Sequence, residues 1–171
     1  VIHTSKGDKI LSNFLYNISK CKANWTPKNF ISNTIESIRN EVGSKSVICG
    51  ISGGVDSSVM GALMHKAVGP QAKFIFVNHG LLRKNEEQQV MKSLNDNLGM
   101  NINCINASES FLKKLEGVID PEKKRKIIGK LFIDTFELAS KEFENVDFLA
   151  QGTLYPDVIE SGGSDLSATI K

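Results

Sequence analysis

The sequence predicts an α/β fold, a parallel twisted sheet with helices on both faces. Short β-rich apolar runs at about Val47 to Ile51, Lys73 to Val77, Asn101 to Ile105 and Val146 to Ala150 alternate with longer stretches of helical periodicity. Glycine and proline punctuate the changes of pattern, as at Gly43, Gly69-Pro70, Gly99 and Pro121. Strands separated by helices of this length imply right-handed crossovers and a parallel sheet.

Ile10, Leu11, Phe14, Leu15 and Ile18 recur at helical spacing and predict a first helix ending near Ser19. Thr26-Pro27 is a helix start, with a capping hydroxyl before a proline at the first position; Phe30, Ile31, Ile35, Ile38 and Val42 carry that helix to Gly43. After the first strand, Val59, Met60, Leu63, Met64 and Ala67 make a helix face that stops at Gly69-Pro70. The second strand is followed by a helix from about Glu86 to Leu98. Beyond the third strand come helices from about Glu109 to Leu115 and from Glu122 to about Lys141, the latter with Ile127, Ile128, Leu131, Phe132, Thr135 and Phe136 facing inward. The fourth strand leads into Gln151-Gly152-Thr153. Leu154 to Lys171, with Pro156 and Gly162-Gly163-Ser164, reads as a loop over the site or as a plain tail.

Ligands of such sheets bind at the strand C-terminal edge. That edge is predicted to carry Ser52 to Ser58, Asn78 to Arg83, Asn106 to Ser108 and Gln151 to Thr153. The most informative of these segments is Ser52-Gly53-Gly54-Val55-Asp56-Ser57-Ser58, between a strand and a helix. Its glycines allow close backbone approach, and the free N–H groups at the helix start favour an anion. The GxxxxGK[ST] phosphate loop is excluded, because no lysine precedes the final hydroxyl residues. The segment is similar to the PP-loop of the N-type ATP pyrophosphatases, which cleave ATP between the α- and β-phosphates. A carboxylate beside pyrophosphate repels it unless a cation lies between them, so Asp56 reads as a Mg²⁺ ligand. The plainer alternative is a capped helix with Asp56 as the cap.

Composition narrows the partners. With 40% hydrophobic and 23% charged residues in 171, the chain suits one main globular domain. A net charge of +2 argues against an extended nucleic-acid surface but leaves local phosphate sites open. Cys21, Cys49 and Cys104 match neither a disulfide framework nor a zinc site, which points to the cytoplasm. No apolar run is long enough to span a bilayer, so no membrane partner is expected. His3, His65 and His79 lack metal-ligand spacing.

Three further segments carry a resemblance: Gly80-Leu81-Leu82-Arg83-Lys84-Asn85-Glu86, Asp120 to Gly129 (DPEKKRKIIG) and Gln151 to Ser161 (QGTLYPDVIES). With SGGVDSS, they resemble the GMP synthetases in their ATP pyrophosphatase domain, from about Trp25 to Lys171. The resemblance implies an adenine nucleotide alpha hydrolase-like fold and ATP and XMP as substrates. It also implies a ligase reaction: adenylation of the XMP O2 with release of pyrophosphate, then amination by glutamine-derived ammonia to give GMP. It implies that Gly50, Ser52, Gly53, Gly54, Val55, Asp56, Ser57, Ser58, Val77, Phe132 and Gly152 bind ATP. Asp56 would hold Mg²⁺, Arg125 would contact XMP, and Lys171 would close on pyrophosphate. A guanidinium grips phosphate in a bidentate way, which gives Arg125 a physical rationale; Lys123, Lys124 and Lys126 read as a solvated helical face.

Residues 1–22 resemble the end of a class I glutamine amidotransferase domain and its linker, and residues 23–171 the ATP pyrophosphatase domain short of its dimerisation domain. The implied parent carries its own glutaminase domain and forms a homodimer through that C-terminal domain. His3 is not the glutaminase histidine. One departure stands out: Asn78 occupies a position where the family usually has aspartate, and Asn78-His79-Gly80 is more similar to tRNA-modifying PP-loop enzymes that adenylate a base. That alternative stays open, as does a non-catalytic nucleotide-binding module.

Overall fold

The computed structural model describes residues 3–143 and 146–153. The chain divides into two compact units, Val1–Thr34 and Ile35–Lys171. In the first, α1 (Gly7–Ser12) widens into a π-type turn over Asn13–Ile18, where the Ser19 N–H donates to Phe14 O at 2.8 Å. The predicted apolar stripe is present but unburied. Ile10, Phe14 and Ile18 are each more than half exposed, as befits a segment too short to enclose a core. α2 (Pro27–Val42) starts where Thr26-Pro27 predicts, with Thr26 Oγ1 accepting from the Asn29 N–H at 3.1 Å.

In the second unit β1 (Ser46–Ile51), β2 (Ala72–Asn78), β3 (Ile102–Asn106) and β4 (Val146–Ala150) form one parallel sheet ordered β3-β2-β1-β4. Its helices are α3 (Val55–Val68), α4 (Glu86–Met91, widened over Lys92–Asp96), α5 (Ser108–Leu115) and α6 (Pro121–Ser140). Periodicity predicts α4 as one regular helix to Leu98. It instead ends in the wider turn, where the Met100 N–H reaches Leu94 O at 3.1 Å past Gly99.

The period-2 alternation of β1 sorts its side chains onto two cores. Val47, Cys49 and Ile51 join Met64, Ala67, Val90 and Leu94 from α3 and α4. Ile48 joins Ile75, Val77, Phe111 and Ala139, with Phe132 and Phe136 of α6 packed against them. Each buried Val, Ile, Leu, Met or Phe among them stabilises by about 1.5–3 kcal/mol. The helices therefore cover both faces, as the sequence predicts. The chain winds outward from β1 to β3 with α3 and α4 on one face, then returns to β4 with α5 and α6 on the other. The reversal puts the topological switch point between β1 and β4, where doubly wound sheets open a crevice for ligands.

Candidate functional site at the β1–β4 switch point

Both loops at the switch point are the ones singled out by sequence. After Ile51 the chain turns through Ser52 and Gly53, and Gly54 (φ −71°, ψ 163°) is the N-cap of α3. Gly53 has φ +79°, and a Cβ built there would lie 2.4 Å from Val90 Cγ2. The turn thus requires glycine at 53 because α4 packs against it, a constraint that sequence alone assigns to ligand approach. Gly54 differs: its backbone is ordinary, and a Cβ would meet only Ser52 Oγ, at 3.4 Å.

Hydroxyls brace the loop. Ser57 Oγ accepts from the Ser52 N–H at 3.2 Å and lies 2.9 Å from Ser52 Oγ, and Ser52 Oγ accepts from the Gly54 N–H at 3.3 Å. Ser58 Oγ donates to Gly54 O at 2.8 Å. No side chain caps α3, so its first N–H groups face outward with the positive end of the helix dipole. This is not the capped helix of the plainer alternative. Asp56, exposed in the first turn, has no side-chain hydrogen bond or ion pair among the described residues. The β4 loop closes on the same place. A Cβ at Gly152 would lie 3.5 Å from Asp56 O and 3.5 Å from Met60 Cβ.

The donor set fits Mg²⁺ in one particular way. Among the described residues no three His, Cys, Asp or Glu side chains cluster as an all-protein metal cage. A single exposed carboxylate in the first turn of a helix without a side-chain cap instead suits Mg²⁺, which is commonly held by one or two carboxylates together with substrate phosphates.

The other predicted residues lie on β1, β2 and α6. Gly50 faces α6, where a Cβ would meet Phe136 Cε2 at 3.4 Å. Val77 is only 3% exposed, and its side chain belongs to the second core, against which Phe132 also packs. Gly50, Val77 and Phe132 thus share the α6 face of the sheet. Arg125 is exposed on α6 and pairs with Glu122 one turn earlier. α6 starts at Pro121, one residue before the predicted Glu122, with Asp120 Oδ1 accepting from the Lys123 N–H at 2.7 Å. Beside Arg125, Lys124 and Ile128 line a groove of about 640 Å³ with Leu81, Leu112 and Lys113. Lys171 and residues 154–161 of the QGTLYPDVIES segment lie outside the described residues.

The structure adds a residue that sequence reading misses. Glu87 of α4 accepts a hydrogen bond from Asn78 Nδ2 at the end of β2, and Asn78 Oδ1 accepts from the Gly80 N–H at 2.9 Å. The Cys104 thiol is pushed above its ordinary range, first by burial and then by Glu87, which it faces. Burial also lifts the Cys49 thiol, to about 12. The three cysteines are free, and His79 serves its own loop, its Nδ1 accepting from the Leu81 N–H at 3.1 Å. No described helix is long and apolar enough to cross a membrane.

A sequence profile described as NAD synthase matches residues 28–130, well over half of the chain. The chain belongs to the NAD synthase family. Two solved members share its fold: the NH3-dependent NAD synthetase of Campylobacter jejuni (TM-score 0.63, 14% identity, 82% of this chain and 62% of that one) and the glutamine-dependent NAD+ synthetase of Acinetobacter baumannii, solved with ADP (TM-score 0.64, 15% identity, 87% and 29%). The PP-loop, adenine nucleotide alpha hydrolase-like fold is thereby established. In sequence the chain is similar to glutamine-hydrolysing GMP synthases. It is 56% identical to that of Lactobacillus gasseri over 171 residues, all of this chain and 33% of that protein. It is 54% identical to that of Symbiobacterium thermophilum over 162 residues, 95% of this chain and 32% of that protein. The resemblance carried by the motifs is borne out, and the chain spans about a third of the length of the curated relatives it matches.

Proposed function

We propose that this chain is the ATP-binding, adenylating part of a GMP-forming ligase. The observation that carries the reading is the 56% identity to a GMP synthase across all 171 residues. The switch-point loop, open to an anion and backed by the Gly152 turn, supports it. In the reaction, the XMP O2 attacks the α-phosphorus of ATP, the bond to pyrophosphate breaks, and ammonia then displaces AMP at the activated carbon. An oxygen on a base is a poor leaving group until it carries such a phosphoester, so little acid–base chemistry is asked of the protein. Positioning and charge stabilisation do most of the work.

The backbone of Ser52 to Ser58 would hold the phosphates at the start of α3. Gly50, Val77 and Phe132 would border the adenosine, and Gly152 would close the opposite wall. Asp56 would hold Mg²⁺, which when bound offsets the charge of the departing pyrophosphate. Arg125 would grip XMP, exchanging Glu122 for a phosphate, and Lys171 would close on pyrophosphate. The leading residues 1–22, whose apolar stripe is unburied, are read as the end of a glutaminase domain that supplies ammonia. A homodimer through a further C-terminal domain completes the proposed parent. The tRNA-modifying alternative rests on Asn78-His79-Gly80, and similarity to GMP synthases along the whole chain outweighs it.

The test is pyrophosphate release by the full-length protein given ATP, Mg²⁺, XMP and ammonia. Arg125→Ala should raise the XMP requirement by roughly tenfold or more, the scale of a lost charge-assisted pair. No pyrophosphate from the wild type sinks the reading, as ATP bound intact would suit a nucleotide-binding module. Normal XMP affinity in the variant removes Arg125 from the XMP site.

A further inference from the structure

Asn78 stands at the C-terminal end of β2, on the sheet edge that the proposed nucleotide site occupies. Its side chain is used at both ends. Nδ2 donates to Glu87 Oε2 on α4, Oδ1 accepts from the Gly80 N–H at 2.9 Å, and its carbonyl accepts from the Ala107 N–H at 2.9 Å. One residue therefore ties together the β2 loop, α4 and the β3–α5 junction. Three residues further along α4, on the same side of the helix, Val90 presses on Gly53 of the phosphate-site turn. The helix that supports that turn is the helix from which Glu87 reaches Asn78.

We infer that Glu87 is a positioning residue for the nucleotide site: its carboxylate orients the Asn78 amide, and the pair together fixes the loop of residues 79–85 and seats α4 against the phosphate-site turn. The pairing has a defined polarity. The amide can donate to Glu87 only with Nδ2, which leaves Oδ1 free for Gly80, so the carboxylate decides which way the amide points. The Cys104 thiol also faces Glu87, so the carboxylate is held between β2 and β3. The pair carries one negative charge, and the geometry does not depend on which partner bears it. Exchanging the roles leaves a carboxylate at position 78 that accepts from the Gly80 N–H with one oxygen and from a side-chain amide at position 87 with the other.

This inference rests on the nucleotide reading for its functional half only. The test uses the full chain as wild type, Asn78→Asp, Glu87→Ala and the double variant Asn78→Asp/Glu87→Gln. Two readouts are taken: hydrogen exchange over residues 79–85 without nucleotide, and the Kd for ATP with Mg²⁺. Asn78→Asp sets two carboxylates against each other, and Glu87→Ala leaves the amide unoriented. Each should speed exchange in the loop and weaken ATP binding by about tenfold or more. The double variant should return both readouts to within about threefold of wild type, a rescue that a merely space-filling role for Glu87 does not provide. Exchange unchanged in Asn78→Asp, or a double variant as impaired as that single one, overturns the inference. A wild type that binds no ATP overturns the nucleotide reading instead, and the exchange data still decide the pair.

Discussion

Val90 presses directly on Gly53: a Cβ at Gly53 would come within 2.4 Å of Val90 Cγ2, and Gly53 itself holds φ +79°. Neither constraint applies to its neighbour Gly54, at φ −71°. The two glycines of one motif therefore have different jobs. Gly53→Ala should cost about 2–4 kcal/mol in urea unfolding, from the left-handed backbone and the overlap together. Gly54→Ala should cost under about 1 kcal/mol, and any larger effect it has on ATP affinity is then a ligand effect. Equal destabilisation by the two substitutions would show that the turn is not built as described.

Ser57 is the hub of the loop's hydroxyl bonds, accepting from the Ser52 N–H at 3.2 Å and contacting Ser52 Oγ at 2.9 Å. Ser57→Ala leaves that exposed N–H without its partner, at a net cost of about 0.5–1.5 kcal/mol. Because the strain falls on the turn that faces the phosphates, ATP affinity should drop by roughly tenfold. Ser58→Ala removes only a bond from Ser58 Oγ to Gly54 O, a carbonyl that also accepts from the Ser58 N–H at 3.1 Å. It should matter less. Calorimetric titration of both variants orders them, and Ser58→Ala as the more damaging would reverse the assignment.

Asp56 is exposed, with no side-chain partner among the described residues, so removing its charge should leave the fold within about 0.5 kcal/mol of wild type. Its effect should appear only with ligand. Wild-type ATP affinity should rise when Mg²⁺ is added, and Asp56→Asn should abolish most of that rise while changing metal-free affinity little. Titrations with and without Mg²⁺ measure this. A variant that keeps the full Mg²⁺ dependence places the cation elsewhere.

Much of this is legible in the sequence, because local signals and tertiary demands agree. Thr26-Pro27 announces a helix start that the structure keeps, Pro121 marks the start of α6, and the apolar runs of β1 and β2 lie buried between helices on both faces. SGGVDSS can be placed at the ligand edge because in a parallel sheet the loop after every strand lies at the C-terminal edge; that the β1 and β4 loops are neighbours comes from the strand order. What stays hidden depends on contacts between distant positions. Glu87 reads in sequence as an ordinary acidic residue in a helix's first turn, and nothing in its neighbours says that it reaches β2. Asn78 reads as a departure; its meaning requires its partner. The widened turns at Asn13–Ile18 and Lys92–Asp96 leave the apolar periodicity nearly unchanged, so a pattern of hydrophobic residues does not reveal them.

Cys49 makes the sheet's burial measurable through pH. It is fully buried in β1, between Phe74 of β2 and Ala150 of β4, and its thiol is pushed up to about 12 from an ordinary 9.0. The unfolded chain releases that proton near pH 9.0, whereas the folded chain holds it to about 12. Between those values the folded state binds more protons, so stability falls as pH rises, by about 1.4 kcal/mol per unit; below 9.0 the contribution is constant. Lysines and tyrosines also titrate in this range, so the comparison must be with Cys49→Ala, which shares them. The alanine variant should be less stable than wild type at about pH 8 by about 1–2 kcal/mol, from the lost packing. By about pH 10.5 that gap should have shrunk by up to about 2 kcal/mol, and it can reverse sign. Urea unfolding of both proteins across that pH range reads the gap directly. A constant gap would mean that the thiol ionises as readily in the folded sheet as in the unfolded chain, which a fully buried position in β1 does not allow.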